Sequence, residues 1–170
     1  MAYTIYDGFV LQAKRALITV SEILKKAEEH PNASTFPTSR LYPDMKSLSY
    51  QVNSVTVQTL LVMARLTNQP PPEFNAENDL ELSYAEMYER IEKTLKVIEE
   101  ADREYIVEHA AEVQTMKLGP FEKQLSGYEF ASMMQANIFF HTTTAYGILR
   151  KEGVPLGKRD FITPFLTVTE

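Results

Sequence analysis

Counting by threes and fours from Phe130 passes through Met134, Asn137, His141, Thr144 or Ala145, and Ile148. That spacing is one face of an α-helix, and a mostly apolar face of this length turns toward a core. Such a segment folds only if other helices or sheets cover it. The face also carries two polar side chains, Asn137 and His141, one turn apart. Burying them costs free energy unless each is hydrogen-bonded or bound to something. The helix is expected to open at Ser126-Gly127-Tyr128-Glu129, which has the spacing of a capping box, and to end at Gly153.

Three earlier segments repeat the period. The first runs from about Ile5 to Glu29, with Tyr6, Val10, Ala13, Leu17, Val20, Leu24 and Ala27 inward, and stops before Pro31. The segment Pro31–Ser39 reads as a loop. The second helix is expected near Pro43, with Asp44 beside it as a cap. Its core stripe is Leu41, Met45, Leu48, Val52, Val55, Thr59, Val62 and Leu66, with Asp44, Gln51 and Gln58 along the edge. Pro70-Pro71-Pro72 ends it, and a linker follows to about Leu82. The third helix opens with the capping-box spacing Ser83-Tyr84-Ala85-Glu86.

From Ala101 the helical pattern breaks. Val113–Leu118 and Phe121–Leu125 flank Gly119-Pro120 and predict a small hairpin. The tail from Val154 to Glu170, with two prolines, reads as irregular. The economical fold is all-α: one domain over residues 1–170, an up-down four-helix bundle with a hairpin between helices 3 and 4.

Composition narrows the function. The net charge of −6, with no basic cluster, makes nucleic acid and anionic membrane surfaces poor partners. The absence of cysteine removes disulfides, thiolate metal sites and cysteine nucleophiles together. No apolar run approaches a membrane span, and the start of the chain lacks a signal-peptide pattern, so a cytoplasmic protein is expected. Asn32-Ala33-Ser34 fits a glycosylation sequon, without consequence in that compartment.

His141 and Asn137 can aim two polar groups at one point, as helical catalytic or metal pairs do. The plain alternative is a core histidine bonded to Gln51, Tyr50 or a backbone carbonyl. A metal site needs more ligands than the pair offers, and His30 and His109 lie far along the chain. Asp44 and Gln51, seven residues apart, would share a helix face and complete a carboxylate–amide–imidazole set. The expected site therefore has His141 and Asp44 as catalytic groups, with Asn137, Gln51, Met134 and Tyr146 on the ligand. No metal and no cofactor is assigned. A methionine- and aromatic-rich core can deform to admit a flat apolar ligand. Phe9 and Met63, beside the core stripes, are candidates for a homodimer surface. Gly153-Val154-Pro155-Leu156-Gly157-Lys158 lacks P-loop spacing.

Two stretches carry a family resemblance. One is Arg40-Leu41-Tyr42-Pro43-Asp44-Met45 followed by Gln51-Val52. The other runs from Phe139-Phe140-His141-Thr142-Thr143-Thr144 through Ala145-Tyr146-Gly147-Ile148-Leu149-Arg150 to Gly153–Lys158. With Tyr6-Asp7 and Gly127-Tyr128, they resemble the bacterial and fungal family designated domain of unknown function 1993, within the DinB/YfiT-like superfamily. The resemblance implies an up-down bundle with a central pocket, often dimeric. In metal-binding relatives, one histidine comes from the second helix and an HxxxH pair from the last. Here those places hold Gln51, Asn137 and His141.

Three functions fit these residues. One is a small-molecule-binding bundle, in its finer form a cofactor-independent isomerase, cyclase or dehydratase acting on an apolar metabolite with His141 as acid/base. Another is a degenerate metal-dependent enzyme. The last is a non-catalytic dimeric scaffold or stress protein.

Overall fold

A computed structural model of the chain describes residues 3–73 and 81–168. A π-helical turn, Tyr6–Val10, leads into α1, Leu11–Glu28. The turn is tied by Asp7, whose carboxylate accepts from Thr4 N at 2.9 Å and from Arg103 Nη2 at 3.0 Å. A 3-10 turn, Ala33–Thr38, connects to α2, Leu48–Leu66. Then come α3, Tyr84–Glu99, and a short α4, Arg103–His109. Strands β1, Val113–Leu118, and β2, Phe121–Ser126, form the expected antiparallel hairpin around Gly119-Pro120. Gly119 takes a φ of +60°, a left-handed conformation that suits a glycine. Next are α5, Gly127–Lys151, and α6, Lys158–Thr167.

The bundle consists of α1, α2, α3 and α5, with α2 packed against all three partners and most extensively against α5. His141, in the C-terminal half of α5, meets Gln51 near the start of α2. At the other end Gly127 meets Leu66, so α2 and α5 run antiparallel. A Cβ on Gly127 would lie 2.8 Å from the Ala110 carbonyl and 2.9 Å from Leu66 Cδ2, so only glycine lets the start of α5 sit this close to the backbone that follows α4. Both anticipated capping boxes are present, at Ser83–Glu86 and Ser126–Glu129.

Two boundaries differ from the sequence reading. The second helix begins at Leu48, capped by Ser47 and not by Asp44. Residues 41–45 instead fold into an exposed turn, closed by Met45 N donating to Tyr42 O at 3.0 Å and by Arg40 Nη1 donating to Met45 O at 2.6 Å. Pro43 therefore starts a turn and not a helix, a role its fixed φ serves equally well. The tail is helical where irregular chain was expected. Gly157 N donates to the Asp160 carboxylate at 2.6 Å, a cap on α6 that Lys26 Nζ of α1 reaches at 2.5 Å. Thr19 of α1 donates to Phe161 O, and Arg15 to Val168 O, docking α6 on α1. The linker expected before Leu82 lies largely outside the described residues, as do Thr169 and Glu170 at the end of the tail.

The core runs the length of the bundle and includes Val20, Leu24, Val52, Val55, Ile98, Phe130 and Ile148. Phe9 and Met63 belong to it too, 3% and 0% exposed, which corrects their assignment to a dimer surface. No helix among the described residues is long and apolar enough to cross a membrane.

Candidate functional site

Every residue of α2 from Leu48 to Thr59 is buried, although eight of these twelve side chains are Ser, Thr, Asn, Gln or Tyr. A helix enclosed on all sides cannot send its polar groups to water, so each needs a partner. Ser49 Oγ donates to backbone carbonyls of Pro37 and Leu82. Thr59 donates to Val55 O one turn back. Asn53 Oδ1 accepts from Arg90 Nη1 of α3 at 2.8 Å.

The face turned to α5 is different. At about 100° per residue, Gln51, Ser54, Gln58, Leu61 and Arg65 fall within an arc of roughly 80°. Among the described residues, the buried side-chain atoms without a hydrogen-bond partner are Ser54 Oγ, Gln58 Oε1 and Arg65 Nε. All three belong to this arc.

Gln51 is the member that is satisfied. Its Nε2 donates to Lys46 O at 3.1 Å, which turns Oε1 toward α5. His141 Nδ1 lies 2.7 Å from that oxygen, so Nδ1 carries the proton and donates to it. Burial holds the imidazole neutral, lowering its pKa from 6.5 to about 4. The ring is half-buried, edge-on to Tyr50 and Phe140. The fixed tautomer leaves Nε2 as an acceptor, with no partner among the described residues. Asn137, one turn earlier and half-buried, likewise has no side-chain hydrogen bond among them.

The structure brings together His141, Gln51 and Asn137 and disperses the rest of the expected set. Asp44 sits exposed in the turn before α2, so the carboxylate–amide–imidazole set does not form. Tyr146 points to the opposite side of α5, edge-on to Phe161 of α6 at 6.0 Å between ring centroids. Met134 lines a cleft two turns from His141, shared with Leu61, Arg65, Met116, Lys117 and Phe130. Sequence reading misses Ser54 and Arg65. Gln51, Gln58 and Arg65 recur every seven residues, and Arg65 also breaks the apolar run Leu60–Leu66, which is the signal the chain offers.

The residues do not fit the metal set of the metal-binding relatives. One imidazole stands beside two carboxamides, and carboxamides are weak ligands for transition metals. Among the described residues no three His, Cys, Asp or Glu side chains come together.

Comparison with known proteins agrees with the architecture. A crystal structure of a DinB family member protein from Shewanella denitrificans superposes with a TM-score of 0.79, at 32% identity over 93% of this chain and 91% of that one. No curated protein matches the chain. Residues 5–162 match the family described as Domain of unknown function (DUF1993), so the described core, from the π-helical turn into α6, is a family unit. The chain is a member of the DUF1993 family, with the DinB-like helical fold.

Proposed function

We propose that the protein binds a small apolar molecule along the seam between α2 and α5. The observation that carries this reading is the gathering of unpartnered buried polar atoms on the one α2 face that also holds the histidine's partner. Each such group costs on the order of 1–3 kcal/mol when unsatisfied, so a fold that places three on one arc gains when a polar group of an otherwise apolar ligand is received there. His141 Nε2 and the Asn137 amide are the groups that would meet it. A neutral imidazole accepts a hydrogen bond at physiological pH, which selects a ligand carrying a hydroxyl or N–H donor. In the finer version His141 is the base of a cofactor-independent isomerase, cyclase or dehydratase, taking a proton at Nε2 while Gln51 fixes the ring.

Titration with 4-propylphenol, an apolar body with one donor, is expected to move the His141 Nε2 nitrogen resonance. His141→Ala should abolish that binding while the far-ultraviolet spectrum stays native. A variant that loses stability yet binds the phenol unchanged would reduce His141 to a structural role.

The same reading expects no stoichiometric transition metal in the purified protein. Elemental analysis giving about one zinc or nickel per chain, lost on His141→Ala, would overturn that.

A homodimer is part of this proposal, and its surface would be the outer side of α5. Met133 and Phe140 are exposed at seven-residue spacing, and Leu41, also exposed, packs at Gly147 one heptad further. Light scattering is expected to give twice the chain mass, and Phe140→Glu to halve it. A monomer at high concentration would remove the dimer from the proposal.

A further inference from the structure

Arg65 lies at the far end of the α2–α5 seam and is 7% exposed. A guanidinium has five N–H donors. One is used here, from Nη2 to the Glu112 carbonyl, and Nε is buried without a partner. No carboxylate forms an ion pair with it among the described residues; Glu112 acts only through longer-range attraction. Its place in the last turn of α2, near the negative end of the helix dipole, helps hold the cation without an anion. A buried cation left this way is costly, and the ordinary remedy is a bound counter-charge.

The space for one is adjacent. Arg65 lines a cleft of about 410 Å³ between the C-terminal half of α2, the hairpin and the start of α5. Lys117 of β1 stands on the cleft with its side chain exposed and without an ion pair among the described residues. Leu61, Met116, Phe130 and Met134 make the apolar wall. The volume falls at the lower end of the range for small-molecule sites. Two cations and a largely apolar lining describe a receptor for an amphipathic anion. Guanidinium geometry favours a planar head that can take two parallel hydrogen bonds.

We propose that this cleft binds an organic monocarboxylate, its head on Arg65 and Lys117 and its apolar body against Leu61, Phe130 and Met134. The proposal rests on the seam reading for the presence of a ligand and on Arg65 for its chemistry.

The test is a titration of the full chain with sodium octanoate and, separately, with 1-octanol, followed by nuclear magnetic resonance and calorimetry. Octanoate is expected to shift the Arg65 Nε–H resonance, and octanol to bind at least tenfold more weakly without shifting it. Arg65→Met should weaken octanoate at least tenfold and leave octanol unchanged. Lys117→Gln, on an exposed strand position that leaves the core untouched, should weaken octanoate about threefold and flatten its dependence on salt. Leu61→Trp, which fills the cleft and keeps both cations, should abolish both ligands. The proposal is overturned if octanoate does not bind, if octanol binds as tightly, or if the Arg65 Nε–H resonance is unmoved at saturation. His141→Ala should leave the octanoate titration unchanged, so failure of this cleft and failure of the His141 site are separately visible.

Discussion

Phe36→Ala is expected to cost about 3–5 kcal/mol of stability and to lower the melting temperature by roughly 6–20 °C. Phe36 is fully buried although it belongs to the 3-10 turn between α1 and α2, a segment rich in Pro, Ser, Thr and Asn. Its ring lies tilted against His30 at 5.2 Å. Its carbonyl accepts from Ser39 N, and the Ser39 carbonyl accepts from Leu48 N, the first residue of α2. Pro37 O beside it accepts from Ser49 Oγ. Removing the ring leaves a cavity under the strap that sets where α2 begins, and neighbouring backbone cannot collapse into it without breaking those bonds. Urea denaturation of the variant against the parent measures the effect, with the midpoint falling and the slope unchanged. A loss under about 1 kcal/mol would show that the strap is dispensable.

Acidification is expected to remove about 3 kcal/mol of stability through His141 alone. Burial lowers its folded pKa to about 4 from the ordinary 6.5, so the unfolded chain binds a proton in a range where the folded chain does not. Stability from this source is complete above pH 6.5, falls as pH drops below it, and levels off below about 4. At 1.36 kcal/mol for each pH unit between the two values, the total is about 3 kcal/mol. The carboxylates of Asp7, Glu86, Glu129 and Asp160 are all held below their usual range by hydrogen bonds, so their losses come at lower pH. On acidification from 6.5 the imidazole's contribution is therefore lost before theirs. Chemical denaturation between pH 6.5 and about 4 should show the slope in the parent and not in His141→Leu. An equal slope in both would mean that His141 titrates normally.

Helices whose ends carry their own chemistry are legible in the amino-acid sequence alone. Ser83 and Ser126, each followed three residues later by a glutamate, mark real helix starts, and Gly119-Pro120 marks a real turn. Gly153 closes α5 with a φ of +93°. These are local signals, complete within four residues. The start of α2 is not legible in this way, because Pro43-Asp44 suits a helix start and a tight turn equally. Only the Ser39–Leu48 bond across the strap decides between them. The last helix is hidden because Pro155, Gly157 and Pro164 all argue against it. What stabilises it is Lys26, Thr19 and Arg15, more than 130 residues earlier in the chain. For the site, the pairing of His141 with Gln51 follows from helical spacing and the polar edge of α2. Asp44 leaves the site with the helix boundary. Tyr146 leaves it because five residues turn a helix by about 140° from His141. Arg65 escapes notice because nothing in the apolar run around it says that a loop carbonyl from Glu112 will meet it.

The enclosure of α2 on every side also fixes how the molecule breathes. The outer side of α5 meets solvent at Met133 and Phe140, and α3 does so at Val97, so those helices can fray or shift without exposing the interior. From Leu48 to Thr59 α2 has no such side. Its backbone amides can reach solvent only when neighbouring helices separate, which makes this central stretch the last part of the fold to exchange its hydrogens. A guest lodged against its polar arc is therefore held by the slowest-opening part of the protein, and its rate of escape is governed by the parting of α2 from α5.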